Sequence, residues 1–147
     1  MKDTGGPYLA MAVLCEKVLE ERDGAMSFIR VVDTWTFSPG GHHAPADFPG
    51  QRIEFFLVVT LKPGKASGRS TLSIDLEKPS GEFGKKSEIP VLFDGEDVGV
   101  STIAKVSINV EQAGLYWFHV LLKDQLLTKV PLRIVYRPLQ GPGQSTP

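Results

Sequence analysis

The sequence predicts an all-β domain in which about eight short antiparallel strands form two sheets packed as a sandwich. Three observations predict it. Apolar and polar residues alternate almost everywhere after residue 50, the period of a strand with one buried face. Turn residues interrupt these runs roughly every ten positions, the usual rhythm of sandwiches and barrels. Only one stretch, Leu9–Glu21, fits helical spacing at all.

The elements follow in order. Residues 1–7 and 137–147 are rich in Gly, Pro and small polar side chains and read as flexible tails. That leaves 8–136 as a single domain. In Leu9–Glu21, Met11, Leu14, Cys15, Val18 and Leu19 share one helical face, with Glu16, Lys17 and Glu20 on the other. The stretch nevertheless runs into Asp23-Gly24, a hairpin signal, because a type I′ turn needs positive φ and Gly adopts it at little cost. Beyond it, Met26–Phe37 is rich in β-branched and aromatic residues. A hairpin requires a strand on both sides. The expectation is therefore strands over 9–20 and 26–37, with helix over Leu9–Glu21 as the alternative.

The remaining runs are plainer. Ile53, Phe55, Leu57, Val59 and Leu61 share one parity of a strand over 53–62. Leu72, Ile74 and Leu76 do so over 70–77, and Ile89, Val91 and Phe93 over 87–93. Ala104, Val106, Ile108 and Val110 face one way over 100–110, and Val130, Leu132, Ile134 and Tyr136 over 126–136. Pro63-Gly64, Ser67-Gly68, Ser80-Gly81, Asp94-Gly95 and Lys123–Gln125 separate the runs. Pro131 lacks a ladder donor, which predicts that the last strand lies at a sheet edge or carries a bulge at that residue.

The segment Glu111–Val120 narrows the fold. A turn ending in Gly114 leads into a strand (114–122) whose early residue is Tyr116. This resembles the E–F corner of immunoglobulin-like sandwiches, in which a tyrosine hydroxyl bonds back to the turn backbone. Phe118 stands where antibody domains carry a cysteine, so the resemblance implies the architecture without the inter-sheet disulfide. A second resemblance is carried by Leu14-Cys15-Glu16, Asp23-Gly24, Ser27–Asp33, Gly114–Phe118 and Pro131–Tyr136. It is to a family of small bacterial proteins of unknown function. It implies bacterial origin and transfers no activity to any residue.

Composition removes several function classes. The chain has 147 residues, with 16 Lys and Arg against 17 Asp and Glu, and a net charge of −1. Such a balance gives no bulk attraction to nucleic acid or to a membrane surface. One cysteine forms no internal disulfide and excludes a four-cysteine zinc site. Tyr8–Cys15 imitates a lipoprotein signal, but Asp3 cancels Lys2, the apolar run is short, and Leu14 precedes Cys15. The expected location is cytoplasmic, with Cys15 a reduced, buried thiol.

Four groups of residues are candidates for function. The connection Ser38–Gln51 is long for a compact domain and holds His42, His43 and Asp47, all capable of ligating metal. Adjacent histidines in a Gly/Pro loop seldom aim at one ion, so no metal or other cofactor is expected. Asp94, Glu96 and Asp97 gather in one turn and match no calcium loop. Cys15 and His119 would form a nucleophilic pair only if the fold joined them, and no catalytic motif is present, so no enzyme is expected. The last group is a row. If Tyr116, Phe118, Val120 and Leu122 face the core, then Leu115, Trp117, His119 and Leu121 face outward. That row suits a partner surface. Together these features fit a non-catalytic interaction or assembly module whose partner is another protein or a second copy. The alternative is a small-ligand or metal-binding sandwich using the 38–51 loop.

Overall fold

The alternating runs become strands because each presents one continuous apolar face, and burying that face is the main driving force available to a sheet. The computed structural model describes residues 5–40, 44–94 and 98–138. These contain β1 (Tyr8–Glu20), β2 (Met26–Val31), β3 (Thr34–Phe37), β4 (Gln51–Lys62), β5 (Gly68–Glu77), β6 (Ser87–Phe93), β7 (Val100–Val110), β8 (Gly114–Leu122) and β9 (Gln125–Tyr136). No helix occurs among the described residues, and so none is long and apolar enough to cross a membrane.

Two sheets result, one ordered β2-β1-β4-β7 and the other β3-β9-β8-β5-β6. Their facing sides share one apolar core. Leu14, Phe55 and Leu57 of the first sheet pack with Leu72, Phe118 and Leu132 of the second. The Phe55 and Phe118 rings meet edge to face across the gap, with centroids 5.8 Å apart.

The structure corrects the expected strand plan in three places. First, 26–37 is two strands, which makes nine. The chain leaves the first sheet at Val32, whose N–H bonds to the Leu14 carbonyl, and joins the second at Asp33, whose carbonyl accepts from the Arg133 N–H. A run of apolar, β-branched residues shows no break there, because both halves are strand. Second, the sandwich is not wholly antiparallel: β3 pairs with β9 in parallel, from Thr34 opposite Arg133 to Phe37 opposite Tyr136. Switching sheets while continuing in one direction produces this. Third, Pro131 lies in β9, which has β8 on one side and β3 on the other. Its missing donor is tolerated because β3 pairs only from Arg133 onward, so that side of Pro131 has no strand neighbour among the described residues.

The alternative between helix and strand over 9–20 resolves to strand. β1 pairs with both β2 and β4, and Ala10 is bulged out between Leu9 and Met11. The turn after it differs from type I′: only Gly24 has positive φ (88°). Glu21 N–H bonds to the Ala25 carbonyl and Gly24 N–H to the Glu21 carbonyl, closing a three-residue loop with glycine in the left-handed position.

Candidate functional site

The β7–β8 corner sets the direction of β8. Tyr116 is buried, and its hydroxyl donates to the Gln112 carbonyl over 2.7 Å. Gly114 enters the strand at φ 138°, and a Cβ there would stand 2.9 Å from the Pro79 ring. Burial, with a smaller contribution from the Glu111 charge, pushes the Tyr116 hydroxyl above the usual tyrosine pKa, against the lowering effect of its bond to Gln112.

With the corner fixed, parity places the rest of the strand. Tyr116, Phe118, Val120 and Leu122 are buried, and Leu115, Trp117, His119 and Leu121 stand half-buried on the outer face. That face is mixed in polarity. Trp117 lies between Glu77 and Pro131, and His119 between Asp75 and Lys129. His119 Nε2 meets Glu77 Oε1 at 2.7 Å, and the Phe83 ring from the β5–β6 connection stacks edge-on against the imidazole, centroids 5.1 Å apart. Lys86 Nζ reaches Asp75 Oδ2 at 3.9 Å. The hairpin thus folds over part of the row that parity turns outward.

The outer face of the other sheet is more apolar, and no run-by-run reading identified it. Cys15 and Val58 are fully buried yet lie outside the core between the sheets. Their parity explains this. Val58 stands between Val13 and Ile103, and Cys15 between Phe56 and Val31. The ribbon continues to Val31 (59% exposed), Ile29 (40%) and Leu19 (40%), interrupted by the exposed Lys17 opposite Ile29. The available signal was the second parity of two strands: Met11, Val13 and Cys15 in β1, and Phe56 and Val58 in β4. A half-buried strand needs only one apolar parity, and these have two.

Cys15 and His119 are not brought together. They lie on the outer faces of different sheets, with the core between them. Burial raises the Cys15 thiol above its usual pKa, opposed by a backbone hydrogen bond from Lys17. A raised thiol pKa leaves little thiolate at neutral pH. Cys15 in the native protein is therefore expected to react with a thiol reagent such as dithionitrobenzoate at least about tenfold more slowly than in urea. Equal rates would show that the outer ribbon does not shield it.

The 38–51 connection is held at its far end by aromatic packing. Phe48 lies against Phe37 and Tyr136 at 5.3 and 5.4 Å, and the Tyr136 hydroxyl donates to the Pro45 carbonyl over 2.6 Å. Asp47 is exposed, and His42 and His43 lie outside the described residues. Asp94 is exposed, and Glu96 and Asp97 also lie outside them. Among the described residues no three His, Cys, Asp or Glu side chains converge as metal ligands.

No protein-family model matches the chain, and no curated protein matches it in sequence. Solved structures similar in shape include two that cover most of this chain. One is an alkylpurine DNA glycosylase from Pseudomonas fluorescens bound to DNA containing an abasic-site analogue, at 13% identity and a TM-score of 0.44. The similarity covers 69% of this chain and only 27% of the glycosylase. The other is an immunoglobulin-like protein from Pseudomonas aeruginosa, at 16% identity and a TM-score of 0.42, covering 85% of this chain and 97% of that one. Similarity at this level transfers no activity.

Proposed function

We propose that this chain is a non-catalytic, immunoglobulin-like assembly module that associates with a second copy of itself. The observation that carries the reading is the apolar ribbon on the outer face of the four-stranded sheet, from Val13, Val58 and Ile103 to the exposed Val31 and Ile29. Outer faces of antiparallel sheets normally carry polar residues toward water. Each Å² of apolar surface left there forgoes about 25 cal/mol of available burial. A two-fold contact buries the same ribbon on both copies at once. The tyrosine corner and the paired sheets support the immunoglobulin-like part of the reading.

Sedimentation velocity from low to high micromolar concentration tests it. The wild-type chain is expected to dimerise with concentration. Val31→Glu, at an exposed position, is expected to remain folded and monomeric. Trp117→Lys is expected to leave the dimer in place. If Trp117→Lys breaks the dimer and Val31→Glu does not, the interface is the Leu115–Leu121 row. A wild-type monomer at the highest concentration rejects self-association.

A further inference from the structure

The two sheets do not close along one side. Among the described residues, β7 is the last strand of its sheet and pairs with β4 alone. β6, the last strand of the other sheet, stops pairing with β5 at Ile74 opposite Ser87. Between them lies a cleft of about 530 Å³. Its floor is Ile74, Leu76 and Phe118, residues of the core or packed against it. One wall is the edge of β7 itself, five consecutive residues from Ala104 to Ile108. Consecutive residues of both parities line a cleft when the backbone edge, rather than one face, borders it.

We propose that this cleft takes an extended segment of another protein, added as a strand along β7. The unpaired edge offers main-chain donors and acceptors over an 11-residue strand. The apolar floor takes alternate side chains of the incoming strand, since these point to one face. The charge at the mouth selects the others. Among the described residues, Lys85 and Lys105 line the cleft, no acidic side chain does, and neither lysine has an ion-pair partner. The segment is therefore apolar at alternate positions and acidic between them.

A second copy fits the edge poorly. Full antiparallel overlap of β7 with its two-fold mate sets Lys105 opposite Lys105, and like charges directly opposed destabilise a strand pair. The strand site is thus separate from the ribbon proposed for self-association, and either can fail without the other.

The test uses the full chain and a fluorescein-labelled nonapeptide of alternating valine and glutamate, followed by fluorescence anisotropy. A matched peptide with lysine for glutamate is the control. The acidic peptide is expected to bind with a Kd on the order of 10–100 μM, and the basic one at least about tenfold more weakly. Lys105→Glu, an exposed change, is expected to remove that preference, because Lys85 and the new glutamate then offset each other. N-methylation of alternate peptide bonds on the paired edge is expected to abolish binding, because it removes the main-chain donors. Binding of neither peptide, or no change in preference with Lys105→Glu, overturns the proposal. Anisotropy that falls again as the protein is raised beyond saturation also overturns it, by showing that a second copy competes for the cleft.

Discussion

Phe55→Ala is expected to lower the unfolding free energy by about 3–5 kcal/mol, the usual cost of a phenylalanine-sized deletion in a packed core. Phe55 is 1% exposed, and its ring meets Phe118 from the facing sheet and Trp35 from β3 at 5.8 and 6.0 Å. Removing it therefore opens a void touched by both sheets, and neither sheet can relax into the space without disturbing its own ladder. Domains of this kind are stable by only about 5–15 kcal/mol, so the loss is a large fraction of the whole. Urea unfolding of the wild type and variant checks it. A double-mutant cycle with Phe118→Leu should show a coupling of about 0.5–1.5 kcal/mol from the edge-to-face contact. A loss below about 1 kcal/mol, outside the range for core deletions, would mean that the sheets do not face each other through this ring.

Tyr116→Phe is expected to cost about 1–3 kcal/mol, since it leaves the Gln112 carbonyl without the donor it holds in the folded chain. The ring remains and fills the same space, so the experiment isolates the hydroxyl. Its pH dependence has a definite sign. The folded pKa is raised above the ordinary value of about 10, so the neutral phenol is the favoured form in the folded state. The stability it contributes is complete below about pH 10, the unfolded pKa, and is lost as pH rises through the folded pKa. The difference between wild type and Tyr116→Phe should accordingly be flat through neutral pH and change only in strong alkali. Equal stability of the two proteins at pH 7 would show that the hydroxyl is not needed at the corner.

The sequence was most legible where a single rule governed. One apolar parity and a flanking turn located β4 to β9 to within about two residues, because burying one face is a local property of a strand. The corner was legible for the same reason: Gly114 and Tyr116 lie within four residues of Gln112, and their geometry is made by the local chain. The β8–β9 turn was less so. Lys123 and Asp124 both take positive φ, at 47° and 64°, without the glycine that usually announces it. The Lys123 N–H is held by the Thr71 carbonyl of another strand, a partner no local pattern reveals.

By itself, then, the sequence determined that the chain after residue 50 is all-β, where β4 to β9 run, and which parity of β8 faces the core. Only the tertiary structure decided which sheet each strand joins. The break at Val32 and Asp33 sends two adjacent strands to different sheets, and β3 runs parallel to β9 through hydrogen bonds spanning about a hundred residues. Only the tertiary structure assembled the outer ribbon, because Cys15, Phe56, Val58 and Ile103 become neighbours through strand order rather than spacing. Periodicity states that a face is apolar. What lies against that face depends on pairings between distant strands, and those are selected by the packing of the whole core.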